Sequence, residues 1–397
     1  MKMKLLAMFA ALSACCLGAA AAEEGDSLGR KASHYLEVEL NPALLLPTNP
    51  FFRGENLSGR PLSTHLSAHL KYGFSFSPDS RLGRLNPYAV QGIGAGWNSF
   101  LNPEELGNPV SVYIFQTSRI ASLTEKLSLD YEWNFGVSFG WKKYDETYNP
   151  RNVVVGSSAN AYIKLGLLLN WRLAPGWNLC AGADFTHFSN GNTSLPNAGV
   201  NSLGISLGTS RSFGSTPAPA ERRPAVDDEG RRRRVSYDLT LFGAWKKKYF
   251  KFESGEAYIV PGNFAVFGLN FNPLYSFNSW FKAGLSLDAR FDESANIWEH
   301  VANDDPGPYD DIRFHRPPFM EQFSLGLSAR IEVAMPIFSI NLGIGRNFLG
   351  SGPDIDGFYQ DFVLKTMLGR RFYLSVGYQL YQFRKPDHLM LGAGIRI

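Results

Sequence analysis

Hydrophobic and polar residues alternate along most of this chain. Between residues 323 and 333 every second residue is apolar, and the residues between them include Arg330 and Glu332. Successive side chains of a β-strand point to opposite faces, so this pattern predicts a strand with one apolar and one polar face. Similar segments of about ten residues recur along the chain and predict about sixteen strands. They begin near Tyr35, Ser63, Pro87, Pro109, Lys126, Ala159, Gly176, Val200, Val235, Tyr258, Tyr275, Gln322, Phe338, Phe358, Phe372 and His388.

The two faces of these strands indicate what surrounds the sheet. Apolar residues between 281 and 291 alternate with Lys282, Asp288 and Arg290, and charges on the inner face of a barrel predict a wide, water-filled lumen. Residues 23–397 contain no run that approaches the ~20 consecutive apolar residues of a transmembrane helix. We therefore predict an all-β fold, an antiparallel transmembrane β-barrel of about 14–16 strands, with residues 23–397 as a single domain.

The connections between the predicted strands differ in length. Long connections are expected outside the cell after odd-numbered strands, and short ones, such as 272–274, on the periplasmic side. Segment 213–234 is an exception, because it is a long, charged, proline-rich linker that contains the run Arg231 to Arg234. Its composition favours a solvated loop over a specific anion site. The loop 292–321 contains His300 and His315, but their spacing matches no metal-ligand pattern and favours a surface loop.

The N-terminus has the features of a secretory signal peptide over residues 1–22. Lys2 and Lys4 precede an apolar run, and small residues end at Ala22, although a lipoprotein cleavage site before Cys15 also fits. Removing the two lysines from the 39 basic residues leaves 37 against 36 acidic residues, a nearly neutral charge that argues against nucleic acid as a partner. Cys180 would be the single cysteine of the exported chain, so an intramolecular disulfide is excluded.

One stretch, from Gly182 to Ser206, has a pattern that points to chemistry. His187 and Ser189 lie two residues apart and therefore share one strand face, and Asn201 follows fourteen residues after His187 on the next predicted strand. The neighbours in phase with them are apolar, and include Leu203. These three polar residues would therefore lie on the lipid-facing side of the barrel, where their burial is costly unless they are close to the membrane surface.

The three residue types suit ester hydrolysis. A serine hydroxyl is a weak nucleophile until a base removes its proton, and the base must be held in one tautomer. His187 can serve as base for Ser189, Asn201 can orient His187, and Asn190 with Asn197 can donate to the oxyanion. A second His-x-Ser, His65 and Ser67, lies in phase with other polar residues and is interpreted as lumen lining. A non-catalytic interpretation of His187 and Ser189, as polar residues at a strand end, remains open.

The sequence His187-Phe188-Ser189-Asn190, followed by Pro196-Asn197-Ala198-Gly199, resembles the lipid A 3-O-deacylase family. The resemblance covers about residues 177–207. It implies an outer-membrane barrel with a catalytic triad facing lipid, although the orienting glutamate of that family falls on Asn201. A His-Ser-Asn triad with this spacing also resembles outer-membrane phospholipase A, whose activity depends on calcium and dimerisation. The residues that help to bind calcium in that family are not matched here, so we predict no cofactor and no metal.

We therefore predict an outer-membrane serine esterase that removes an ester-linked acyl chain from lipid A. The Pro-Asn-x-Gly segment favours lipid A over phospholipid, and the expected partners are lipid A or other outer-leaflet lipids in the membrane. The alternatives are a phospholipase A-like activity, a porin or channel, and an adhesin or structural barrel. The sequence leaves the acyl position and the oligomeric state open.

Overall fold

The computed structural model of the chain describes residues 33–77, 83, 86–214, 235–251, 257–278, 280–302, 313–369, 371–383 and 385–397. The expected signal peptide, its two alternative cleavage sites and nearly all of linker 213–234 lie outside the described residues. Helix is scarce in the described part, and none of its helices has the length and apolar character needed to cross a membrane.

Almost all regular structure in the described residues is β-strand. The strands are β1 (Ser33–Leu45), β2 (Thr64–Ser75), β3 (Val90–Ser99), β4 (Val110–Ser122), β5 (Leu127–Phe139), β6 (Ala159–Ala174), β7 (Trp177–Ser189), β8 (Val200–Phe213), β9 (Val235–Lys246), β10 (Tyr249–Lys251), β11 (Ala257–Ile259), β12 (Phe264–Ser276), β13 (Phe281–Asp292), β14 (Phe323–Ala334), β15 (Phe338–Leu349), β16 (Phe358–Leu368), β17 (Phe372–Tyr381) and β18 (Lys385–Arg396). The helical segments are Phe51–Arg53 and Ile297–His300, which are 3-10 turns, and the short α-helix Phe319–Gln322.

The strands form two closed antiparallel barrels of eight strands each. In the first, β1 to β8 follow chain order, and β1 pairs with β8 to close the sheet. In the second, β9 is followed by β12 to β18, and β18 pairs with β9, while β10 and β11 form a separate hairpin. The all-β antiparallel barrel fold is confirmed. The expectation of a single barrel over residues 23–397 is corrected to two compact units, because alternation locates strands without revealing which strands close a barrel.

The expected turn at 272–274 is also wrong, because these residues lie inside β12. Asparagine and proline are common turn residues, but in the structure Pro273 is paired with Tyr237 of the neighbouring strand β9. On the other side of β12, the aligned pairs with β13 pass from Phe271 to Leu274. Proline has no N–H to donate, and it fits a strand where the ladder to one neighbour is interrupted.

The interior of the first barrel is packed with paired charges. Lys71 Nζ lies 3.0 Å from Glu37, 2.6 Å from Glu39 and 2.6 Å from Glu132, and all four side chains are buried. Lys164 forms a further ion pair with Glu39. An eight-stranded barrel has an interior just wide enough for side chains. The wide, water-filled lumen predicted from the sequence is therefore wrong for this barrel.

The second barrel has the same kind of interior. Arg330 Nη2 lies 2.9 Å from Asp288 and 2.6 Å from Asp361, and Arg330 is only 3% exposed. Lys365 Nζ lies 2.7 Å from Asp238 and 2.8 Å from Glu332. Burying a charge is costly unless an opposite charge and hydrogen bonds compensate for the lost water. The pairing explains how these charged strand positions are tolerated inside.

The outer surface of the first barrel is apolar. Along β1 buried and exposed residues alternate strictly, with Glu37 and Glu39 inside and Leu36, Val38 and Leu40 outside. This distribution is the reverse of that in a soluble protein, and it is typical of a barrel surrounded by lipid.

Connections at one end of the first barrel are joined by buried apolar residues and hydrogen bonds, and we call them the loop cap: residues 46–63, 100–109, 140–158 and 196–199. The first three connections and the neighbouring strand ends share one cluster of buried apolar residues. Its members in and next to the cap include Phe51, Phe52, Phe100, Leu106, Trp141, Val154, Val155, Phe188 and Val200. The candidate residues of the sequence analysis lie at this end of the barrel.

Candidate active site

Strand register brings the three candidate catalytic residues together. His187 of β7 lies directly opposite Asn201 of β8, and Ser189 is the last residue of β7. Residues two apart on a strand share a face, and directly opposed residues have Cβ atoms about 5 Å apart. Adjacent strands in antiparallel register are therefore sufficient to place all three side chains within reach of one another.

The side chains form a continuous hydrogen-bonded chain. His187 Nδ1 lies 2.7 Å from Asn201 Oδ1, and His187 Nε2 lies 2.9 Å from Ser189 Oγ. The Asn201 oxygen can only accept, so it selects the tautomer of His187 that carries hydrogen on Nδ1. Nε2 then has its lone pair directed at the Ser189 hydroxyl, and the distance is within the reach of a general base.

The triad lies on the outside of the barrel. His187, Ser189 and Asn201 are each partly buried, and the outward residues that follow Asn201 along β8, Leu203 and Ile205, are 52% and 56% exposed. The apolar outward face expected from the alternation is therefore present in the structure. An ester group would reach Ser189 from the surrounding lipid and not from the barrel interior.

The second His-x-Ser of the sequence lies inside the barrel, as expected. His65 and Ser67 are 0% and 7% exposed. His65 Nδ1 lies 2.9 Å from Ser202 Oγ, and its Nε2 lies 3.3 Å from Asn98 Oδ1. This buried set has the same residue types as the outer triad but is closed to substrate. The sequence did not predict it, because Ser202 of β8 is distant along the chain from His65 of β2 and Asn98 of β3.

The two residues predicted as oxyanion donors are bonded to each other. The backbone N–H of Asn190 donates to Asn197 Oδ1 over 3.0 Å. This bond spans the turn between β7 and β8, in which Gly191, Asn192 and Gly199 have positive φ angles of 64°, 62° and 70°. This bond holds the Asn197 side chain beside Asn190, the residue that follows Ser189, and it occupies the backbone N–H of Asn190.

Gly199 is a further site residue, and the sequence analysis did not assign it a role. A Cβ atom added there would lie 3.0 Å from the carbonyl oxygen of Phe188, 3.4 Å from His187 Cε1 and 3.8 Å from Ser189 Cβ. With φ at 70°, a side chain at this position is also strained. The backbone of Gly199 therefore packs directly against the His187 and Ser189 side chains, which accounts for the glycine of the Pro-Asn-x-Gly segment.

Among the described residues, one group of acidic side chains is close enough together to share a metal ion. Glu37, Glu39 and Glu132 offer oxygen atoms within 4.8 Å of one another. The ammonium group of Lys71 is hydrogen-bonded to all three carboxylates. The lysine therefore supplies the positive charge that a metal would otherwise bring.

The corresponding strands of the second barrel lack a similar set. On the outward faces of β17 and β18, Tyr378 lies opposite Leu389 and Val376 lies opposite Leu391. His388, the histidine of β18, is 0% exposed and stacks on Phe242 inside the barrel. In the described part of these two strands, the His-Ser-Asn arrangement has no outward-facing counterpart.

The fold and the site define a β-barrel of the outer-membrane type with a hydrolase-like triad on its exterior. Comparison with protein families gives the more specific assignment. Residues 115–210 match the family "Lipid A 3-O-deacylase (PagL)", and residues 235–397 match "Acyloxyacyl hydrolase, C-terminal domain". The chain thus contains one segment that matches the lipid A 3-O-deacylases and one that matches the acyloxyacyl hydrolases, and it is an outer-membrane β-barrel hydrolase that acts on ester-linked acyl chains. The resemblance to lipid A 3-O-deacylases inferred from the sequence is confirmed.

Several solved structures are similar to the chain. The outer-membrane enzyme PagL has 16% identity and a TM-score of 0.29, and the match covers 43% of this chain and 97% of PagL. Ail of Yersinia pestis has 12% identity and a TM-score of 0.25, with coverage of 46% and 99%. The siderophore receptor PirA of Pseudomonas aeruginosa has 10% identity and a TM-score of 0.21, with coverage of 93% and 81%. Among curated proteins no match was found.

Proposed function

We propose that this protein is a serine esterase of the outer membrane that removes an ester-linked acyl chain from lipid A. The observation that carries the proposal is the hydrogen-bonded chain from Asn201 through His187 to Ser189, on the outward face of the segment that matches the lipid A deacylases. We further propose that the chain is exported to the outer membrane of a Gram-negative cell through a signal peptide at residues 1–22.

In the proposed mechanism, Ser189 Oγ attacks the ester carbonyl carbon while His187 Nε2 takes the hydroxyl proton. The tetrahedral intermediate collapses, the bond to the sugar oxygen breaks, and His187 returns the proton to that oxygen. Water then attacks the acyl-serine with His187 as base again, the bond between the acyl carbon and Ser189 Oγ breaks, and His187 returns the proton to Oγ as the free fatty acid leaves. Throughout, Asn201 accepts the hydrogen bond from Nδ1 and keeps the imidazole in the required orientation.

The negative oxygen of the intermediate needs donors, and we assign this role to Asn190 and Asn197. An amide whose oxygen accepts a hydrogen bond still carries N–H donors, so the bond from Asn190 N–H to Asn197 Oδ1 is compatible with donation from the Asn197 amide group. Since the backbone N–H of Asn190 is engaged in that bond, the side chain of Asn190 is the group that would donate. The chemistry needs no metal or other cofactor.

A phospholipase A-like activity is the second candidate. The observation in its favour is that the residue bonded to His187 Nδ1 is the neutral Asn201, whereas the deacylase resemblance implies a glutamate at this position. Both candidates use the same three residues, and they differ in the lipid whose ester is cleaved. A porin function receives no support, because buried ion pairs such as Lys71–Glu39 and Arg330–Asp361 lie in the described interior of each barrel.

The test is mass spectrometry of lipid A and phospholipids from Gram-negative cells that express the wild type, Ser189→Ala or Ser202→Ala. Ser202 is a matched control, because its hydroxyl is also bonded to a histidine, but on the inner face. Lipid A should lose the mass of one acyl chain with the wild type and with Ser202→Ala, and should remain intact with Ser189→Ala. Accumulation of lysophospholipid with unaltered lipid A would select the second candidate. Unaltered lipids of both kinds would refute the esterase proposal.

A further inference from the structure

The loop that carries Asn197 and Gly199 is hydrogen-bonded to a second loop, which contains Val153 and Val154. The backbone N–H of Ala198 donates to the carbonyl of Val153 over 3.1 Å, and that of Gly199 donates to the carbonyl of Val154 over 3.1 Å. We call residues 196–199 the site loop. Because Gly199 packs against His187 and Ser189, the position of these two carbonyl groups sets how the site loop meets the triad.

The two carbonyl groups are in turn fixed by one buried side chain, that of Asn152. Its Oδ1 accepts hydrogen bonds from the backbone N–H groups of Val154 (3.0 Å) and Val155 (3.2 Å). Its Nδ2 donates to the carbonyl groups of Glu105 (2.9 Å) and Lys142 (2.8 Å). Asn152 is 0% exposed and makes four hydrogen bonds, so it ties the turn at 152–155 to Glu105 in connection 100–109 and to Lys142 at the start of its own connection.

The segment to which Asn152 is bonded is itself well anchored. Glu105 accepts hydrogen bonds from the backbone of Leu57 (3.0 Å) and from the side chain of Asn102 (2.8 Å). Asn149 Nδ2 donates to the same Glu105 carbonyl over 2.9 Å. Val154 and Val155 are 0% exposed and belong to the buried cluster that also contains Phe188 and Val200, the residues next to the triad.

We propose that Asn152 is a positioning residue for the esterase site, acting through Val153 and Val154 on the site loop. The proposal rests on the proposed function. Without the Asn152 side chain, the buried N–H groups of Val154 and Val155 lose their acceptor, and the turn relaxes to find another. The carbonyl groups of Glu105 and Lys142 lose one donor each and keep Asn149 as the other. A displacement of about 1 Å at a catalytic group can reduce turnover by about 100-fold.

The test compares Asn152→Ala with Asn56→Ala in the purified full-length protein, assayed on lipid A in mixed detergent micelles. Asn56 is a matched control, because it is also 0% exposed in the loop cap and its amide group donates to two carbonyl groups, but these are the carbonyl groups of Phe51 and Arg60. Asn152→Ala should lower kcat by about 10- to 100-fold with KM within about threefold. Asn56→Ala should keep kcat within about threefold of the wild type.

Hydrogen exchange measured by mass spectrometry provides a readout that does not depend on activity. In Asn152→Ala the amides of Ala198 and Gly199 should exchange at least tenfold faster, while the amides of β7 and β8 keep their wild-type rates. If Asn152→Ala does not fold, Asn152→Ser replaces it, because a serine hydroxyl can accept a hydrogen bond from the backbone N–H groups of the following residues and adds no buried charge. The same site-loop exchange and kcat changes, smaller in size, are then expected.

The outcomes separate this inference from the proposed function. Unchanged exchange at Ala198 and Gly199, unchanged kcat, or equal losses in Asn152→Ala and Asn56→Ala would each overturn the positioning role. An inactive wild type, or a Ser189→Ala variant as active as the wild type, would refute the esterase proposal. In that case the exchange rates alone would still decide whether Asn152 controls the site loop.

Discussion

Replacement of Asn201 by alanine tests the orienting role of this residue most directly. The substitution removes the acceptor that lies 2.7 Å from His187 Nδ1 and leaves the bond from Nε2 to Ser189 in place. A hydrogen bond between neutral groups contributes about 1 kcal/mol, and one to a charged group about 1.5–3 kcal/mol. His187 becomes charged in the transition state, so the loss should be about 1.5–3 kcal/mol. At about 1.4 kcal/mol per factor of ten, kcat should fall by about 10- to 100-fold.

The assay is the initial rate of fatty-acid release from lipid A micelles by purified Asn201→Ala, with Asn98→Ala as the control. Asn98 Oδ1 also lies within hydrogen-bond distance of a histidine, 3.3 Å from His65 Nε2, but inside the barrel. Its loss should leave the rate per folded molecule within about threefold of the wild type. Asn201→Glu, which introduces the residue implied by the deacylase resemblance, should retain at least wild-type activity. A rate for Asn201→Ala within about twofold of the wild type would refute the orienting role.

Three further predictions concern the turn, the interior and metal dependence. Gly199→Ala should reduce kcat by at least tenfold without preventing barrel assembly, because the new methyl group would lie 3.0 Å from the carbonyl oxygen of Phe188, between His187 and Ser189, at a strained φ angle. Lipid A mass spectra measure the activity and heat-modifiable electrophoretic mobility measures the assembly, and full activity would contradict the packing argument. Lys71→Met should destabilise the first barrel by about 3–5 kcal/mol, because it leaves Glu37, Glu39 and Glu132 without their shared counter-charge. The measurement is unfolding in denaturant, and a midpoint for Lys71→Met equal to that of the wild type would contradict this expectation. Chelation of divalent cations with EDTA should leave the rate of lipid A hydrolysis by purified protein unchanged, and loss of activity restored by calcium would show that a metal is required.

The outer triad was predictable because it depends on local rules. Strand alternation assigns His187 and Ser189 to one face, and a short turn brings Asn201 opposite His187 in the next strand. The same alternation located most strand starts within a few residues. It failed at β12 and β13, where Pro273 was read as a turn residue although it lies within a strand.

The features that the sequence did not reveal depend on contacts between distant segments. Closure of the first barrel requires β1 to pair with β8, which places Leu40 beside Leu207, and alternation is the same whether a sheet closes after eight strands or sixteen. The paired charges inside and the role of Asn152 likewise depend on which segments become neighbours in space. A buried asparagine in a long loop has no periodicity that would distinguish it from a solvated one.

The outward position of Ser189 has a consequence for enzyme kinetics. A lipid ester would encounter this residue by diffusing within the plane of a leaflet, so the concentration that matters is the mole fraction of substrate at the surface. Diluting lipid A with inert detergent at constant bulk concentration should therefore slow turnover, whereas diluting the whole suspension at a fixed surface composition should have little effect on the rate per enzyme molecule.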